Sequence, residues 1–221
     1  MRNYTKRMAT LRDRARRVAV EFRRQADLID REDMIPPELL GLLWDSGFLG
    51  LAAPRSLGGQ GAGTVEAAVV VEELAAGCGA AGLLTLLQAL AMTAIMESGE
   101  RKKTDELIGR IIERREVCAF ALSEPEPGPG EKPRVTFAKK VRSDYLLSGR
   151  KTFVSGVRDA DLVLVFAVTS PRQPLKRALS AFAVPAGATG LLPGRELGKA
   201  GLRGVPAAEL TLSGVKVGAA G

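Results

Sequence analysis

Cys118-Ala119-Phe120-Ala121-Leu122-Ser123-Glu124-Pro125, a Gly/Pro-rich loop, and then Tyr145-Leu146-Leu147-Ser148-Gly149-Arg150-Lys151-Thr152-Phe153-Val154-Ser155-Gly156 form the stretch from which this chain is read. Each half reads as a short apolar strand that ends in a hydroxyl residue and a turn. Such an end presents a hydroxyl and backbone amides to a polar, planar ligand, with an aromatic to cover its face. From Val117 onward, short β-branched and aromatic runs alternate with turns: Val135 to Ala138, Tyr145 to Leu147, Lys151 to Val154, Leu162 to Val168, Ala181 to Val184, Glu209 to Leu212 and Val215 to Val217. Asp144 and Ser148-Gly149 punctuate them as hairpin turns do. Many strands with short links and no helical pattern between them predict a small β-barrel or sandwich.

Upstream the period changes. From Thr5 to Ile29, apolar residues at Met8, Leu11, Ala15, Val18, Phe22 and Ile29 follow steps of three, four and seven, the signature of an amphipathic helix. Pro36-Pro37 opens a second helix, with Leu39, Leu40, Leu43 and Trp44 as its apolar stripe, and Gly47 closes it. The run Gly47 to Gly61, with Pro54 and Gly58-Gly59, is a tight irregular connection; no Gly-Lys-Ser/Thr follows it, so it is not a phosphate cradle. Helices are expected over Val65 to Ala76, Ala80 to Ser98 and Glu100 to Glu116. The chain therefore reads as α+β: an N-terminal all-α bundle over 1–116, then a β-barrel domain over 117–221.

Composition removes several classes of function. There is no histidine, hence no histidine triad, metal site or general base. The two cysteines, Cys78 and Cys118, make no disulfide framework and no metal spacing; with no apolar signal segment at the N-terminus, the expected location is cytoplasmic. Residues 1–24 hold nine basic and two acidic side chains, which accounts for the whole net charge of +7. A nucleic-acid surface made by one helix without interleaved aromatics is disfavoured against a solvated face or a meeting with an acidic partner. Ala80 to Met96 contains Thr85, Gln88 and Thr93 and reads as a buried bundle helix, not a membrane span.

The two quoted segments, the Pro54…Gly58-Gly59-Gln60-Gly61 loop and the run Gly201-Leu202-Arg203-Gly204-Val205-Pro206 together resemble the acyl-CoA dehydrogenase family over nearly the whole chain. The resemblance implies a helical bundle followed by a β-barrel, with FAD as cofactor and an acyl-CoA thioester dehydrogenated between its α and β carbons. Phe120 to Ser123 match the segment that lies along the flavin, Leu122 and Ser123 matching the positions that bond its pyrimidine edge. Phe153 matches the aromatic, usually tryptophan, packed on the ring system. Ser155 matches the hydroxyl beside the O4/N5 edge. Gly128 matches a glycine of the pyrophosphate loop.

Two departures accompany the match. Pro129 stands where the family has a serine and offers neither hydroxyl nor N–H, while Glu126 and Glu131 flank it with negative charge. Losing one or two hydrogen bonds to a charged group weakens FAD by ~10- to 1,000-fold. The family's catalytic glutamate lies in a further C-terminal helical bundle with no counterpart in these residues, and none of Glu97, Glu100 or Glu124 sits in a motif that replaces it. No catalytic residue is assigned. The expectation is an oligomer in which a second chain supplies that bundle, with an electron-transfer flavoprotein as electron acceptor. A non-catalytic structural or binding subunit, or a truncated gene product that has lost FAD, is the alternative.

Overall fold

A computed structural model describes residues 5–125 and 136–218. The chain divides into two compact units, Met1–Arg115 with Lys199–Pro206, and Glu116–Gly198 with Ala207–Gly221. The expected α+β class is borne out, as a helical region followed by a curled mixed sheet.

The first unit holds six α-helices among the described residues: α1 (Lys6–Arg24), α2 (Ala26–Arg31), α3 (Pro37–Asp45), α4 (Thr64–Gly77), α5 (Gly79–Met96) and α6 (Arg101–Arg114). Thr5 caps α1, its hydroxyl accepting the Met8 N–H at 3.2 Å. Leu11, Ala15, Val18 and Phe22 form the buried stripe of α1. The single helix expected through Ile29 is instead two, because the backbone leaves helical geometry at Gln25 (φ −114, ψ 8), and α2 then turns Ile29 inward. The glycine- and proline-rich connection after α3 carries core: Phe48, Leu49 and Leu51 are fully buried, each worth about 1.5–3 kcal/mol of apolar burial. Helix α5 is long and apolar enough to cross a membrane, with 56% of that window buried; Ala81, Ala91 and Met92 are fully enclosed, as expected of a bundle helix.

The basic first helix spends much of its charge within this unit. Arg7 Nη2 donates to the Gln60 carbonyl at 2.7 Å, Arg14 Nη2 to that of Ser46 at 2.5 Å, and Arg23 Nη2 to that of Ala76 at 2.9 Å. Arg16 pairs with Glu73 on α4 at 2.9 Å. These arginines bind the glycine-rich connection and α4 to α1.

Lys199–Pro206, which the sequence reading ran into the β region, packs with the helices. Gly79 and Gly204 admit it: a Cβ at the first would meet the Leu202 side chain, and one at the second would meet Ile29. Arg203 grips Asp33 through Nε at 2.6 Å and Nη2 at 3.0 Å, and its backbone N–H donates to Asp30.

The second unit is a seven-stranded sheet: β1 (Cys118–Ala121), β2 (Phe137–Val141), β3 (Asp144–Ser155), β4 (Leu162–Val168), β5 (Leu179–Pro185), β6 (Leu191–Leu197) and β7 (Ala207–Gly218). Its order is β1-β4-β2-β3-β7-β6, with β5 on β4; β1 and β2 run parallel to β4 and the other pairings are antiparallel. One face holds a core that includes Ala121, Leu147, Val154, Val165, Phe182 and Leu210. Ser148-Gly149 is not a turn. It lies inside one long strand, opposite a bulge in β7 where Ser213 and Gly214 face the single Ser148 and the Gly214 N–H donates to the Ser148 hydroxyl. Gly149 (φ 150) is required there, since a Cβ would sit 2.5 Å from the Thr136 Cα. The two runs read as Glu209 to Leu212 and Val215 to Val217 likewise join as β7, and β6 and the one-turn helix α7 (Leu175–Ala178) had no sequence signal strong enough to mark them.

Candidate functional site

Strand β1 ends at Ala121, and the three residues after it are tied to the far half of β3 and the start of β2. The Thr152 N–H donates to the Ser123 carbonyl at 3.0 Å. Lys151 Nζ donates to the Leu122 carbonyl at 3.2 Å and pairs with Glu124 Oε1 at 2.8 Å. Glu124 Oε1 also accepts the Thr136 N–H at 3.3 Å, and the Thr136 hydroxyl donates to the Arg150 carbonyl at 3.2 Å. The side chains of Lys151 and Glu124 are 0% and 6% exposed. One buried ion pair thus joins the end of β1, the start of β2 and the middle of β3.

Immediately beyond Lys151 the β3–β7 register slips again, between Lys151/Leu210 and Val154/Ala208. Within this second bulge Phe153 adopts φ 55, left-handed backbone that costs a bulky residue about 1–3 kcal/mol. The fold does not recover that cost by burying the ring, which is 69% exposed. Val154 turns into the core, so by alternation Ser155 faces away from it, while the Phe153 ring, set by the bulge, stands exposed. On β1 the same alternation sends Ala119 and Ala121 to the core and Phe120 to the other face, where its ring tilts against Phe166 at 4.9 Å.

The sequence-assigned residues divide clearly. Leu122 and Ser123 are brought to Lys151 and Thr152 by these hydrogen bonds, and Phe153 follows directly in the chain. Ser123 is exposed, Leu122 and Ser155 are half-buried, and Ser155 sits on the ladder opposite Ala207. Gly128, with Glu126, Pro129 and Glu131, lies outside the described residues. The pairing of Lys151 with Glu124 escaped the sequence reading. Its available signal was a lysine at a position that strand alternation turns toward the interior.

Electrostatics nearby are modest. In the turn after β3, partial burial holds the Asp159 carboxyl above the usual range; Glu196 adds to this and Arg158 opposes it. Among the described residues no group of three or more acidic or cysteine side chains is arranged to hold a metal ion, and both cysteines are buried and outside any disulfide.

Chemically the arrangement is an exposed aromatic on strained backbone, two hydroxyls, and a strand end held by its carbonyls. An aromatic face and hydroxyl donors are groups on which a planar heteroaromatic ring with acceptors along one edge can pack and hydrogen-bond.

Comparison with known proteins gives the set a family. The acyl-CoA dehydrogenase N-terminal domain matches residues 5–115, and the middle domain of the same family matches residues 119–215. Acryloyl-CoA reductase (NADH) of Anaerotignum propionicum is 32% identical over 98% of this chain and 55% of its own length. Cyclohexane-1-carbonyl-CoA dehydrogenase of Geobacter metallireducens is 34% identical over 86% of this chain and 50% of its own. A solved structure described as an electron transferring flavoprotein of Acidaminococcus fermentans superposes with a TM-score of 0.90 at 26% identity, covering 100% of this chain and 58% of that one. The chain spans about half the length of the curated relatives it matches. With both domain patterns matched in order, and relatives above 30% identity along nearly its full extent, this chain belongs to the acyl-CoA dehydrogenase family.

Proposed function

We propose that residues 117–221 carry one half of an FAD site and that the protein acts in the α,β-dehydrogenation of an acyl-CoA thioester. The observation that carries this reading is Phe153, held at φ 55 with its ring in solvent. Backbone strain kept for an exposed aromatic gives nothing to the core and is explained by a ring that packs on it. Leu122 and Ser123 bond the pyrimidine edge, Phe120 lies along the ring, and Ser155 serves the O4/N5 side. Gly128 keeps, in sequence, the glycine of the family's pyrophosphate loop. When bound, FAD supplies the two-electron oxidant.

Glu124 is no candidate for the α-proton base, because its carboxylate is buried against Lys151. The base belongs to groups outside these 221 residues, on a continuation of the polypeptide or a second chain of an oligomer. An electron-transfer flavoprotein as acceptor fits the same reading, as does a cytoplasmic setting for two cysteines outside any disulfide.

A titration with FAD tests the assignment. The wild-type protein is expected to show saturable binding, weakened about tenfold in Phe153→Ala as roughly 1.5 kcal/mol of ring packing is lost. The alternative, a structural or binding subunit, draws on Pro129 in the pyrophosphate loop. It predicts no saturable binding in either protein.

A further inference from the structure

A lysine buried at 0% exposure is uncommon unless paired, and Lys151 has its counter-charge, the Glu124 carboxylate, fixed by a backbone N–H from Thr136. The more telling contact is the other one, from Lys151 Nζ to the Leu122 carbonyl. That carbonyl belongs to the same planar peptide group as the Ser123 N–H, and no peptide bond among the described residues is cis. In a trans peptide the C=O and N–H point in opposite directions. A carbonyl drawn toward a buried ammonium therefore aims the Ser123 N–H away from Lys151. The next peptide is held in the same sense, because the Ser123 carbonyl accepts the Thr152 N–H at 3.0 Å. Among the described residues, the Ser123 amide donates to no protein acceptor.

Hydrogen bonds in series polarise one another, and a charged donor strengthens the effect. A peptide whose oxygen is bound by an ammonium offers a more positive N–H on its far side. We infer that Lys151 is a positioning residue which, through the Leu122 carbonyl, orients and polarises the Ser123 N–H as a donor to an electron-rich ring edge. The inference rests on the proposed flavin site for its ligand, and on this chain's own geometry for its mechanism. Reduced FAD carries more negative charge on its pyrimidine side than oxidised FAD, so the polarised donor favours the reduced form.

Two full-chain variants separate this from a purely structural staple. Lys151→Met removes the ammonium, and Glu124→Gln with Lys151→Met removes both charges, so that no carboxylate is left buried without its partner. The first measurement needs no ligand: the Ser123 amide signal in a 1H–15N spectrum is expected to move upfield in both variants. The second compares affinities for oxidised and reduced FAD. Binding of oxidised FAD is expected to weaken about tenfold. The preference for the reduced form is expected to fall by a further factor of ten, a midpoint about 30 mV lower for a two-electron couple. A Ser123 amide unmoved in the folded double variant overturns the inference and leaves the pair a structural staple. So does an unchanged ratio of reduced to oxidised affinity when the wild type binds FAD. If the wild type takes up no FAD but the amide moves as expected, the flavin reading fails and the orientation of the peptide stands.

Discussion

Phe153 separates strain from packing, and substitution can measure the two apart. Its φ of 55 is unfavourable for any residue with a Cβ, whereas glycine adopts it freely. The 69% exposed ring contributes little to the core in return. Phe153→Gly is therefore expected to be more stable than Phe153→Ala, by about 1 kcal/mol in urea denaturation of the ligand-free protein, while both lose FAD affinity alike. Equal stability of the two variants would show that the backbone at 153 is not under strain. The residue's identity was legible from its place in Lys151-Thr152-Phe153-Val154-Ser155. Its conformation was not, because a bulge inside a strand depends on a register that only β7 supplies. Lys151 shows the same limit: a lysine in a strand reads as a surface charge until the strand end that covers it is in place.

Among the elements, periodicity located what is locally determined. The buried positions of α1 fall where steps of three and four put them, and β4 spans the Leu162–Val168 run as read. Errors came where one sequence signal serves two structures. Ser148-Gly149 reads as a turn, and only pairing with β7, whose bulge at Ser213-Gly214 faces Ser148, keeps it inside a strand. The Lys199–Pro206 segment departs further, since Gly204 and Arg203 answer to residues far away in sequence. Its anchor is testable. A hydrogen bond from Arg203 holds the Asp33 carboxyl below its ordinary value; desolvation opposes it, and the charges of Arg203 and Lys199 add to it. A depressed carboxylate adds stability above the unfolded-state pKa, and that stability is lost as pH falls through the lower folded value. In Arg203→Gln the Asp33 titration, followed by NMR, is expected to move up toward the ordinary carboxylate value. The acid limb of the stability–pH profile is expected to flatten with it. An Asp33 that titrates as before would remove Arg203 as the cause.

For the whole molecule, the charge pattern and the flavin reading point to different parts of the chain. The net charge of +7 suggests an anionic partner until the arginines of α1 are followed to their acceptors at Ser46, Gln60, Glu73 and Ala76. Much of that charge is then accounted for by holding one unit together. The family and both its domains were legible because short motifs carried them: the strand end at Ser123, the aromatic before Val154-Ser155, and the glycine-rich connection. The site's internal support was not, since it is built from carbonyls and a buried pair that no motif spells out. The most direct test of the central claim is the visible absorption spectrum of the protein purified from its native host, recorded beside Phe153→Ala purified in the same way. Flavin bands in the wild type, diminished in the variant, are the predicted result. A colourless wild-type protein that takes up no added FAD would contradict the flavin half-site.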